Sequence, residues 1–176
     1  MTAVNNGANN DVIQTLRTAH QNQTQLNLMA DQKANILIGT LALVFTVVLT
    51  KLLTLADNQA LLISLVVFVV LQMVPLVLTV MVLIPKNITG KSTAGINDIK
   101  NPLFFGFFTQ YSQQQYSDYM HGLLVDNESA RQLIINDIYQ IGVILRRKYM
   151  LLRLAYIFAL LGFLVAAIVG LLISVN

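Results

Sequence analysis

The pattern of apolar and polar positions changes character within stretches that read as single helices. In the first, Val12, Leu16, Ala19, Leu26 and Ala30 return at steps of four, three, seven and four, the spacing of an amphipathic helix. His20, Thr24, Asn27, Asp31 and Asn35 follow on the other side at steps of four, three, four and four, and read as a solvated face. From Ala34 onward the polar positions vanish: residues 34–50 carry no charge, and the apolar pattern resumes past Lys51 to Leu55. At about 1.5 Å per residue, a helix over 34–55 covers the ~30 Å hydrocarbon core of a bilayer. Asp31 and Lys33 then mark the boundary, because a charge at mid-bilayer costs about 2.5–3.5 kcal/mol on an insertion scale. The expected organisation is a disordered, Gly/Asn-rich tail at 1–10, a cytosolic helix at 11–33 with Asp11 as its N-cap or first-turn acid, and a first transmembrane helix at 34–55.

Beyond a turn at Asp57-Asn58, residues 58–85 are again uncharged. They predict a second transmembrane helix at 59–84, with Pro75 inside it, tolerable in a membrane span. Residues 87–100 are polar and rich in Gly, Ser, Thr and Lys, the composition of a loop. Asn101-Pro102 then makes a turn before an aromatic cluster. Ser112 is placed to cap a short helix over 113–124, and Asp126 to cap another, with Glu128 and Ser129 in its first turn. Leu133, Ile134, Ile138, Ile141, Ile144 and Leu145 form the apolar side of that last helix. Nothing breaks it at Arg146-Arg147-Lys148, and residues 154–176 carry no charge. A third transmembrane helix is therefore expected at 150–174, fused to a cytosolic segment within 85–149. The fold class is an all-α membrane protein with three transmembrane helices, the first and third extended into the cytosol, plus a short cytosolic helix.

Composition narrows the chemistry. The 176 residues are 56% hydrophobic and 11% charged, against about 25% charged in soluble domains. The lack of cysteine excludes disulfides, thiolate catalysis and Cys-ligated zinc. With only His20 and His121 and no metal-spaced cluster, no metal, cofactor or catalytic residue is expected, and an enzyme would have to build its site from Asp31, Asp137 and one histidine. A net charge of +3 is too small to argue for a nucleic-acid polymer as partner. Of the 11 Lys and Arg, all but Lys51 fall before the first span, between the second and third, or, as Arg153, in the first turn of the third. The positive-inside rule then puts the N-terminus and residues 86–153 in the cytoplasm.

Three groups of residues stand out. Ala155, Ala159, Gly162, Ala166, Gly170 and Ser174 recur at three- and four-residue steps, a small face that lets membrane helices approach closely. Two uses are open, contact with the chain's own spans or self-association in a homo-oligomer. Arg146, Arg147 and Lys148 sit at the cytosolic lip of the third span, as Lys33 does for the first. Arg146 suits anionic lipid. Lys148 lies eleven residues after Asp137, three turns along one helical face. That face also carries Ile141 and Ile144 and so points inward, where the two charges either pair with Asp31 and Lys33 or await a polar ligand. Phe104, Phe105, Tyr111, Tyr116 and Tyr119 suit packing, or base stacking.

Three blocks carry a resemblance. Ala30-Asp31-Gln32-Lys33-Ala34, Asn101-Pro102-Leu103-Phe104-Phe105-Gly106, and Asp137-Ile138-Tyr139 with Lys148-Tyr149 and Leu152 resemble the transmembrane effector family of Pycsar. That is the bacterial anti-phage system in which a pyrimidine cyclase makes cCMP or cUMP. The likeness runs in order from about Leu16 to the C-terminus. It implies a multi-pass effector in the inner membrane that impairs membrane integrity when the cyclic nucleotide appears. Such a ligand presents one anionic phosphate, a flat base and a ribose hydroxyl. Lys33, Arg147 or Lys148 would meet the phosphate, Asp31 or Asp137 the ribose or a cytosine amine, and Phe105 or Tyr116 the base. The alternative is a non-gated membrane scaffold or accessory subunit docking a cytosolic partner.

Overall fold

The computed structural model describes residues 2–54, 59–85 and 95–175. Five α-helices follow one another: α1 (Thr2–Thr54), α2 (Gln59–Leu83), α3 (Phe105–Phe108), α4 (Gln113–Leu124) and α5 (Asn127–Val175), with a 3-10 turn at Ile96–Asp98. All regular structure among the described residues is helical. Three stretches, Asp11–Thr54, Leu61–Leu83 and Asn127–Ile173, are long and apolar enough to cross a membrane. This is the all-α architecture with three spanning helices that the hydrophobic runs predict. The turn expected at Asp57-Asn58 and loop residues 86–94 lie outside the described residues.

The helix ends follow their capping chemistry. Ser112 Oγ accepts from Gln115 N at 3.3 Å, while Gln115 Oε1 accepts from Ser112 N at 3.0 Å, a reciprocal box that satisfies two otherwise orphaned donors. Asp126 caps α5, with Oδ2 accepting from Ser129 N at 2.9 Å and Oδ1 from Glu128 N at 3.3 Å. Asp11, expected as a cap or first-turn acid, instead lies inside α1, whose helical backbone begins at Thr2. An acid at the N-cap is a preference only, and once a helix is nucleated each further residue adds a hydrogen bond. α2 continues through Pro75 without interruption.

The chain forms two compact units. One comprises Met1–Asn27 and Lys86–Leu145, the other Leu28–Pro85 and Arg146–Asn176. In the second, Leu37, Leu41 and Ala155 form one buried cluster, and Val48, Phe68 and Ala166 another. Leu43, Val47, Leu53, Val70, Leu160 and Leu171 face outward, so large apolar side chains cover the outside while many inner positions are small or polar. That inversion suits a bundle whose solvent is lipid, where helices associate by close packing and internal hydrogen bonds. The exposed hydroxyls of Thr40, Thr46 and Thr50 donate to the carbonyls of Ile36, Ala42 and Thr46 at 2.8–2.9 Å, leaving no donor to be satisfied by hydrocarbon.

The first unit has a different interior. Leu133, Phe107 and Leu145 are buried there, but so are Asn101 and Asp137. Its middle is a hydrogen-bonded polar cluster with apolar side chains around it.

Candidate functional site

In the second unit, polar chemistry gathers where α1 and α5 turn apolar. Ala30 and Ala34, on either side of Asp31, are fully buried, as is Ala155, and Leu152 nearly so. These small side chains let the helix backbones come close enough for Lys148 Nζ to reach Asp31 Oδ1 at 2.7 Å. The side chains of Lys148 and Asp31 are 18% and 34% exposed, so the pair is screened less than a surface ion pair. Lys33 Nζ lies 5.5 Å from the centre of the Tyr149 ring, within cation–π range. The Tyr156 hydroxyl donates to the Lys33 carbonyl at 3.4 Å. Arg147 is exposed. Of the two partners open to Lys148 from sequence, a carboxylate or a ligand, the structure supplies the carboxylate.

In the first unit, Asp137 is the hub. Its Oδ2 lies 2.7 Å from His20 Nε2, and its Oδ1 accepts from Asn101 Nδ2 at 2.8 Å. The same Asn101 nitrogen donates to Gln140 Oε1 at 3.0 Å, and Asn101 Oδ1 accepts from Leu103 N at 3.0 Å. Asn101 thereby closes a side-chain turn over Pro102 and ties that turn to α5. Gln23 Oε1 and Asn27 Oδ1 are buried without a hydrogen-bond partner. Asp137 and Lys148, eleven residues apart on α5, thus fall in different units, and each is paired within its own.

This arrangement corrects the solvated-face reading of α1. His20, Asn27 and Asp31 are half-buried, as is Gln23, which the sequence did not single out, whereas Val12 and Leu26 are exposed. Only Thr24 and Asn35 of the expected stripe face outward. For His20 the physical cause is Asp137: a carboxylate 7% exposed must be hydrogen-bonded, and meeting that need outweighs burying an aliphatic side chain of α1 in its place. The available signal was Asp137 and Gln140 on the same side of α5 as its isoleucines, which required polar partners elsewhere.

The aromatic candidates divide. Tyr116 is stacked on Phe108 with ring centres 4.8 Å apart, and its hydroxyl donates to the Pro102 carbonyl at 3.0 Å, so it packs the turn. Phe105 is largely exposed, its ring 4.9 Å from that of Phe104. Burial, reinforced by nearby Asp98 and Tyr111, raises the Tyr119 hydroxyl above its ordinary range. At the other end of α4, hydrogen bonds from the Ser129 side chain and from the Ser129 and Glu128 backbones hold the Asp126 carboxyl below its ordinary value.

The small stripe of α5 is used inside the second unit. Ala155, Gly162 and Ala166 are buried, the Ala159 carbonyl accepts from Gln72 Nε2 at 2.9 Å, and Gly170 faces Ser64. Among the described residues, no three His, Asp or Glu side chains gather in a way that would hold a metal ion. Compared with known proteins, the chain matches a family model, PycTM, the Pycsar effector protein domain, over residues 14–175. No curated protein and no solved structure matches it.

Proposed function

The chain belongs to the Pycsar effector family, and from that premise of a membrane effector in anti-phage defence we propose that it responds to cCMP or cUMP by impairing the inner membrane. The observation that carries this reading is Lys148 held 2.7 Å from Asp31, immediately before both helices become apolar. A cyclic nucleotide brings an anionic phosphate, and a phosphate competes with a carboxylate for a lysine through charge-assisted hydrogen bonds. Drawing Lys148 from Asp31 loosens the tie between α1 and α5 at the boundary. Lys33 and Arg147 supply further positive charge beside it, and Tyr149 an aromatic ring.

The leverage required is within reach of such contacts. Moving a closed-to-open ratio from 99:1 to 1:99 takes about 5.5 kcal/mol of preference for the open form. A few charge-assisted hydrogen bonds, each about 1.5–3 kcal/mol, supply it within one protomer, and a homo-oligomer repeats them. The test is binding of labelled cCMP and cUMP to detergent-purified protein, alongside ion leakage from nucleotide-treated vesicles. Lys33→Ala and Lys148→Ala are each expected to weaken binding roughly 10- to 100-fold while inserting normally into membranes. Wild-type protein that binds neither nucleotide at high micromolar concentration refutes the proposal.

A further inference from the structure

The inward face of α2 is polar where a lipid-embedded bundle needs it least. Ser64, Gln72 and Thr79 are all buried, at intervals of eight and seven residues, so they lie near one helical face and span roughly 22 Å of a ~30 Å hydrocarbon core. Gln72 is fully buried. Its Nε2 donates to the Ala159 carbonyl at 2.9 Å, while its Oε1 has no partner. Ser64 Oγ donates to the Ala166 carbonyl at 2.8 Å, and Thr79 Oγ1 to the Pro75 carbonyl at 2.6 Å. Pro75 has no N–H to offer the Leu71 carbonyl one turn back. The surplus groups along this face are therefore acceptors, and neither α2 nor residues 154–175 of α5, the stretch that meets Ser64 and Gln72, carry a cation.

Opposite Gln72 and Ser64 stand the glycines of α5. A Cβ at Gly162 would lie 2.8 Å from Gln72 Nε2 and 3.4 Å from its Cδ, and one at Gly170 would lie 3.0 Å from Ser64 Oγ. The glycines permit an approach that brings the Gln72 amide onto the α5 backbone. Phe68 and Phe163 meet edge to face beside it, 4.8 Å between centres, and close the seam with apolar surface.

We infer that the α2–α5 seam is the path by which water and monovalent cations cross the membrane when the effector fires, with Gln72 as the latch that shuts it at rest. This rests on the membrane-impairing reading above and supplies its route. An unpaired carbonyl oxygen in a dry, lipid-surrounded interior is costly. When α2 and α5 part, water or a cation reaches Gln72 Oε1, and the polar face of α2 becomes a wall of acceptors. Intramembrane polar groups lining an inner face have this use in channels and transporters.

The test uses full-length protein in phosphatidylethanolamine–phosphatidylglycerol vesicles loaded with potassium and calcein. Gly162→Ala forces the Gln72 side chain off its carbonyl, and potassium efflux without any nucleotide should rise by roughly tenfold or more over wild type, with calcein retained. The double variant Gly162→Ala/Gln72→Leu replaces the acceptor wall at mid-depth with an aliphatic group and should be as tight as wild type. The inference is overturned if Gly162→Ala vesicles stay tight, if calcein escapes with the potassium, or if the double variant leaks as the single one does. Because no nucleotide is added, a chain that leaks as expected but binds neither cCMP nor cUMP would refute the ligand assignment and leave the seam standing.

Discussion

Asp137 accepts from Asn101 through one oxygen and meets His20 through the other, so a single carboxylate joins α1, the Asn101-Pro102 turn and α5. Asn101→Ala deletes the donor to Asp137 and Gln140 and the acceptor of Leu103 N, leaving buried groups unpaired. It should cost about 1–3 kcal/mol, seen as a lower thermal midpoint by circular dichroism in detergent. Asp126 gives a pH test. Its native pKa is depressed, so its capping contribution is complete above the ordinary carboxylate range and is lost as pH falls through the native value. Melting curves of wild type and Asp126→Asn should differ at neutral pH and converge in acid. At this scale the sequence was half legible. Lys148 pairing with Asp31 was one of two outcomes its inward position allowed. His20 was misread because a polar helix face looks the same whether water or a carboxylate 117 residues away satisfies it.

Among the elements, the capping residues were the most legible. Ser112 and Asp126 start α4 and α5 where their side-chain chemistry predicts, because a cap is a local bargain between a side chain and the next turn of backbone. Ser112→Ala should destabilise α4 by about 1 kcal/mol, read as faster amide exchange at Gln115 and Tyr116 with the spanning helices unaffected. The small stripe was visible as a pattern, but its partner was not. Spacing on α5 cannot name the helix that lies against it. The decisive residues, Gln72 and Ser64, are polar side chains in an apolar run that a hydropathy count averages away.

For the molecule as a whole, the three spans were legible because long uncharged runs admit few other readings in a chain so poor in charge. The division into two units was not, since it cuts through α1 and α5 with no change in backbone, at Asn27/Leu28 and Leu145/Arg146. Lysine and arginine placement predicts which side each part occupies, and the lack of cysteine makes that simple to measure. Introduced singly in a Cys-free background, Gln132→Cys should react with impermeant maleimide only after the cytoplasmic face is exposed, and Thr54→Cys from outside intact spheroplasts. The reverse pattern would invert the topology.

The buried polarity of α2 also bears on how the protein is made. When α2 leaves the ribosome and enters the bilayer, α5 has not yet been synthesised, and Ser64 and Gln72 lack the Ala166 and Ala159 carbonyls they will meet. The nascent span must be shielded by the insertion machinery until the last segment arrives. A chain cut short before Asn127 would leave those two side chains without their acceptors indefinitely, and membrane quality-control proteases should clear it within a few generations of growth while the 176-residue chain persists.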